Sequence, residues 1–124
     1  MAKARRTEKA PETFLPMTPT TFHILMALVD AERHGYAIMR EVTDRTGGAV
    51  KLGPGTLYGS LKRLLSDGLV EEGDERPDPD ADDERRRYYR LTKFGLTVVR
   101  AEARRLAAMV RTARQKKLIG LEPA

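Results

Sequence analysis

Residues 53–72 read GPGTLYGSLKRLLSDGLVEE, and they decide the fold. Proline at 54 suits the first turn of a helix, where its missing N–H costs nothing. Leu57, Leu61, Leu64 and Leu65 follow at spacings of 4, 3 and 1, one apolar face of a helix from Pro54 to about Asp67, and Gly68 stops it. At 100° per residue, Gly55, Thr56, Gly59, Lys62, Arg63 and Ser66 point away from that face, with Tyr58 and Ser60 on its flanks. The outward set is small, hydroxylic or cationic and holds no carboxylate before Asp67. Glycines at 55 and 59 would let the helix backbone approach a DNA groove, and Arg63 or Lys62 would address guanine or phosphate. Charges on a helix are by default a solvated face, so the neighbouring elements carry the decision.

Upstream, Thr18-Pro19 begins a helix whose stripe of Phe22, Leu25, Met26, Leu28 and Val29 reaches about Ala31. Residues 32–35 form a turn, and a second helix carries Tyr36, Ile38, Met39 and Val42 as far as Gly47-Gly48. Downstream, residues 69–72 and 87–91 are short β candidates joined by a long acidic loop. A last helix runs from Thr92 to about Lys117, with Leu96, Val99, Ala103, Leu106, Val110 and Ala113 as a heptad seam of about two and a half repeats. A seam that short must be completed on the domain or on a second copy.

Three helices, a flap and a long helix define the expected fold class: mainly α with a small β wing, a winged helix-turn-helix plus a long C-terminal dimerisation helix. The expected organisation is a flexible basic arm at 1–17, a DNA-binding domain at 18–91, the dimerisation helix at 92–119 and a tail at 120–124. Arg85, Arg86, Arg87 and Arg90 lie on or beside the returning strand, where a wing meets phosphate, and strand alternation sends one of Tyr88 and Tyr89 to the core and the other outward.

The 124 residues carry 23 Lys plus Arg against 18 Asp plus Glu, a formal net charge of +5. That average hides a segregation. Residues 71–84 hold nine acids and one base, −8 in all, so the rest of the chain carries +13 and is charged like a polyanion binder. The absence of cysteine excludes disulfides, thiolate metal sites and cysteine nucleophiles, and fits a cytoplasmic protein. Two histidines argue against a transition-metal site. No phosphate loop and no nucleophile with a base mark an enzyme or call for a cofactor. No apolar run approaches the ~20 residues of a membrane span, so no membrane partner is expected.

Three segments in order, TPTTFHILMALVDAERHGYAIMREV (18–42), GPGTLYGSLKRLLSDGLVEE (53–72) and RRRYYRLTKFG (85–95), resemble the PadR-type transcriptional regulators. The resemblance implies a repressor that binds inverted-repeat operator DNA as a homodimer clasped through its C-terminal helices, often released by a small ligand, here one of unmarked identity. It implies that Gly55, Thr56 and Tyr58 through Arg63 face the operator, with Tyr58 and Lys62 as phosphate or base contacts. His34, Gly35 and Tyr36 are structural on the same basis, with Tyr36 packed inward, and His34 and His23 hold no metal. The acidic segment departs from the family. It reads as a solvated tip, as an intramolecular mask on Arg85 to Arg87 or the basic arm, or as a cation site at Asp78, Asp80, Asp82 and Asp83 that lacks the glycine and distal glutamate of a calcium loop. The competing function is a winged-helix module for protein–protein contacts without specific DNA binding.

Overall fold

The computed structural model describes residues 9–79 and 85–120. Helix α1 (Pro19–Ala27) starts where the Thr18 hydroxyl accepts the Thr21 N–H at 3.2 Å. It ends four residues before the expected Ala31, because the Arg33 Nε–H takes the Ala27 carbonyl at 2.7 Å and the chain tightens into an i→i−3 turn at Leu28. Helix α2 (Gly35–Arg45) is followed by Gly47 and Gly48, both at positive φ. Helix α3 (Pro54–Ser66) buries Leu57, Leu61 and Leu64 and closes through Gly68 at φ 79°, with the Leu69 N–H bonded to the Leu64 carbonyl.

The β part is larger than the sequence suggests. Strand β1 (Arg33–His34) occupies what reads as a turn and pairs antiparallel with β3 (Arg85–Leu91), which pairs with β2 (Val70–Pro77), giving the order β1-β3-β2. The register sets Arg33 opposite Tyr89, His34 opposite Tyr88, Glu71 opposite Arg90 and Arg76 opposite Arg86, with an irregularity between Glu72 and Glu75. The opposite charges of Glu71 facing Arg90 and Glu75 facing Arg87 extend the ladder into the acidic stretch that reads as loop. Helix α4 (Lys93–Gln115) follows, capped by the Thr92 hydroxyl on the Gly95 N–H at 2.9 Å.

The core joins Ile24, Leu25 and Leu28 of α1, Ile38 and Val42 of α2, the α3 leucines, Leu69, Val70, Tyr89, and Val98 and Val99 of α4. Val99, expected in an intermolecular seam, is therefore a core residue of its own domain. Residues 11–17 are also packed on the body, where the sequence reading has a flexible arm. Pro11–Phe14 forms a 3-10 turn, Phe14 meets the Phe94 ring edge-on at 5.8 Å, and the Met17 N–H donates to Glu102 Oε2 at 3.3 Å. Glu102 is fully buried and takes two further hydrogen bonds from Arg105, at 2.7 and 2.8 Å, which hold its carboxyl below the ordinary glutamate range against the raising effect of burial. Arg105 is thus a structural partner of Glu102.

The start of α4 presses on the end of α3. A methyl group at Gly95 would overlap the Leu69 carbonyl, and backbone has no rotamer to yield. Gly95→Ala is expected to lower stability by about 1–3 kcal/mol in chemical denaturation, the usual cost of overpacking, whereas Gly53→Ala, whose added methyl meets nothing within 4 Å, serves as control.

Candidate nucleic-acid interface

Helix α3 presents the face its leucines leave free. Gly55, Thr56, Tyr58, Gly59, Lys62, Arg63 and Ser66 are exposed. Ser60 is not; it is buried on the core side, where its hydroxyl accepts from the Arg63 guanidinium at 3.4 Å, so it supports Arg63 from beneath. A methyl at Gly55 or Gly59 would meet no atom of the chain within 4 Å. Neither glycine is required by packing or by φ, and Gly59, in the helix interior, costs about 1 kcal/mol relative to alanine. Tyr58 is seated rather than free-swinging: its hydroxyl rests where a side chain at Gly35 would be, across the start of α2.

Tyr36 corrects an expectation. It is 52% exposed, with the guanidinium carbons of Arg40 and Arg86 at 5.4 and 5.7 Å from its ring centre. Ile38 and Val42 define the buried side of α2, and Tyr36 lies two residues before Ile38, about 200° around the helix. That angle was available in the sequence. Tyr36 and Arg40 stand with Arg86 on the surface at the start of α2, and neither Tyr36 nor Arg40 is in the sequence-derived set.

The wing corrects more. Arg85, Arg86 and Arg87 do lie together on β3, but carboxylates accompany them. Arg87 pairs with Glu72 at 3.0 Å and Glu75 at 3.9 Å, Arg85 with Glu75 at 3.9 Å, and Arg86 with Asp78 at 3.5 Å. Arg90 pairs with Glu71 at 2.8 Å and with Glu32 at 3.3 Å, and Glu32 also holds Arg76 at 2.9 Å. Residues 70–79 and 85–91 carry five acids and five bases, so the described wing is neutral. Residues 71–77 are a paired but largely exposed strand, from which Glu71, Glu72 and Glu75 reach arginines of β3, as does Asp78 just after it, while 80–84, the tip of the acidic segment, lie outside the described residues. Asp80, Asp82 and Asp83 of the cation-site reading lie outside the described residues, as do residues 1–8 of the arm and 121–124 of the tail. Among the described residues no cluster of three potential ligands forms.

Both Tyr88 and Tyr89 are buried, although alternation sends only one of them to the core. Tyr89 faces the core, and Tyr88 is covered on the opposite side by the His34 ring, edge-on at 5.2 Å, and by the Arg76 guanidinium at 3.7 Å. His34 has an acid partner that lies 44 residues on. It is 4% exposed, its Nδ1 accepts the Ala37 N–H at 3.1 Å as the N-cap of α2, and its Nε2 therefore carries the proton and donates to Asp78 Oδ2 at 3.0 Å. His23 accepts from Arg45 at 3.1 Å, tying α1 to α2.

The arrangement is a three-helix unit with an exposed polar face on its third helix, a β wing and a trailing helix, which is the class of winged helix-turn-helix proteins. A family model described as the transcriptional regulator PadR-like family matches residues 24–101, and the chain belongs to that family. The transcriptional regulator Rv3488 of Mycobacterium tuberculosis is 36% identical over 89 residues, 72% of this chain and 77% of that protein. Of two further relatives the chain covers less than two thirds of their own length: 22% of an uncharacterised 37.1 kDa protein in a transposon from Streptomyces fradiae and 63% of an uncharacterised protein from Lysinibacillus sphaericus. A PadR-family transcription regulator from Clostridium difficile is similar in structure, with TM-score 0.60 and 26% identity over 76% of this chain and 95% of that one. Bacillus subtilis PadR, in a structure with operator DNA, has TM-score 0.56 and 19% identity over 86% of this chain and 50% of its own, a likeness of fold.

Burial holds the His34 imidazole below the ordinary value of 6.5; Asp78 pulls it up, while Arg86 and Arg40 push it down. A group with a depressed folded pKa contributes stability that is fully present above its unfolded pKa and is lost as pH falls through the folded one. The melting temperature is expected to decline as pH drops below about 6.5, the ordinary histidine value, and this first decline is expected to disappear in His34→Asn, where asparagine keeps an N-cap acceptor.

Proposed function

We propose that the chain is a sequence-specific, duplex-DNA-binding transcriptional regulator of the cytoplasm: a repressor that binds an inverted-repeat operator as a homodimer and is released by a small ligand. The observation that carries the DNA reading is the pair Gly55 and Gly59 on the exposed face of α3. Gly59 weakens the helix interior, Gly55 lies on the same face one turn earlier, and neither relieves internal crowding; close approach from outside accounts for them, and the flanking Thr56, Tyr58, Lys62 and Arg63 suit a polyanion with readable base edges. Arg85 and Arg87 are the wing's phosphate candidates. Their ion pairs are exposed, and such pairs contribute less than about 1 kcal/mol, so phosphates can displace the carboxylates. Repression and ligand release rest on family membership.

The homodimer reading draws on α4, which has no buried residue after Glu102. Of the seam residues, Leu96 and Leu106 are half-buried and Ala103 and Val110 exposed, while Met109, Leu118 and Ile119 leave a further apolar surface open around Ala113. A second copy of the same helix covers such a surface by symmetry. Val110→Glu is expected to convert a dimer into a monomer in sedimentation equilibrium while the helical circular dichroism per residue stays nearly unchanged.

The recognition face is tested by selecting random duplexes on the full chain and titrating the winner by fluorescence anisotropy across a salt series. Wild type is expected to prefer a symmetric site and to lose affinity linearly in log–log form as salt rises. Arg63→Ala should weaken the cognate duplex about tenfold, within the 1–3 kcal/mol of a base contact. Gly59→Gln should raise thermal stability, by up to about 1 kcal/mol, yet abolish site-specific binding. Wild-type affinity in Gly59→Gln, or equal weak affinity for every duplex, would decide for the second reading, a protein-contact module, which the neutral wing favours.

A further inference from the structure

Asp78 is out of character for its surroundings. The seven residues before it, 71–77, are exposed or half-exposed, yet Asp78 is 3% exposed, and the side chains of both Asp78 and His34 are more than nine-tenths buried. Burying a carboxylate is costly without compensation, and here compensation is dense. His34 Nε2 donates at 3.0 Å, and Arg86 Nε stands 3.5 Å from the same oxygen. The Tyr88 hydroxyl donates to the Pro77 carbonyl at 3.4 Å, and Arg76 lies over the Tyr88 ring. Neither His34, Asp78 nor Tyr88 belongs to the main apolar cluster. The node is a second, polar centre beside the core.

Its position says what it holds. Strand β1 pairs only with Tyr88 and Tyr89, so the outer wing, residues 75–77 against 85–87, is a two-stranded ribbon. Such a ribbon is marginal by itself in water. Through its other nitrogen, the same His34 ring caps the first turn of α2. The start of α2 also seats Tyr58 of α3. One imidazole therefore links the far end of the wing to the element that places the recognition helix.

We propose that the buried His34–Asp78 pair is the positioning joint of the wing, fixing the ribbon to the start of α2 and so setting where Arg85 and Arg87 stand relative to the α3 face on duplex DNA. The inference rests on the DNA-binding reading above for its consequence, and on the fold alone for the joint itself. Asp78 acts through the arginines and is a positioning residue.

The test is a double-mutant cycle on the full chain: Asp78→Ala in the wild-type background and in an Arg85→Ala/Arg87→Ala background. Duplex affinity and its salt slope are measured on the selected site, and amide hydrogen exchange is followed at residues 85–88. Asp78→Ala is expected to accelerate exchange in the wing, leave α1 to α3 protected, weaken the duplex roughly five- to tenfold and lower the salt slope by up to about 2, the share of two phosphate contacts at ~0.9 each. In the double-alanine background the same substitution should cost less than about twofold, as shared action requires. Equal losses in both backgrounds, or unchanged exchange in the wing, overturns the proposal. Asp78→Glu, which keeps the charge, should restore part of the protection. If wild type shows no preference for any duplex, the DNA reading fails, while the exchange measurement still decides whether the joint exists.

Discussion

The junction at Gly68 and Leu69 carries three elements at once. The Thr92 hydroxyl donates to the Gly68 carbonyl at 2.6 Å, the Thr92 N–H donates to the Leu69 carbonyl at 3.1 Å, and Gly95 lies directly on the Leu69 backbone. The end of α3, the start of the wing and the first turn of the long helix thus share one backbone contact. Thr92 also caps α4, so one hydroxyl terminates one connection and starts the next helix. The rest of the domain is arranged around that point: the leucines of α3 pack inward from it, and Val98 and Val99 close the core from the other side.

Charge is organised by a different rule. The formal +5 is the residue of two unlike regions. In the described wing the five acids and five bases cancel, and the facing pairs Glu71–Arg90 and Glu75–Arg87 favour the observed register, while Arg76, opposite Arg86, is held instead by Glu32. On α4 there is one acid, Glu102, and it is turned inward to Arg105 and Met17, so the exposed side of that helix keeps its cationic excess. The exposed ion pairs of the wing are worth little individually and exchange readily with solvent or phosphate. The two buried carboxylates among the described residues, Glu102 and Asp78, are the ones that hold segments in place, because a buried charge that loses its partner has no water to replace it.

Several elements were legible in the residue order. The spacing of Leu57, Leu61 and Leu64 places α3 and its outward face, Thr18-Pro19 and Thr92 mark helix starts, and Gly68 marks a stop, because each of these signals acts within one or two helical turns. Of the sequence-derived interface, Gly55, Thr56, Tyr58, Gly59, Lys62 and Arg63 stand together on the surface. Tyr36 could have joined them by the same angular reckoning.

What the sequence by itself determined, then, is the local periodicity: three helices, a wing and a long helix, with a polar face on the third. Only the tertiary structure decided that β1 exists, that residues 11–17 dock on α4, that Ser60 is buried, and that His34 meets an acid. These depend on partners 44 to 85 residues apart in the chain, Asp78 for His34 and Glu102 for Met17. No period of 2 or 3.6 encodes such distances; the contact forms only when the core brings the segments together, and burial then makes the pairing obligatory.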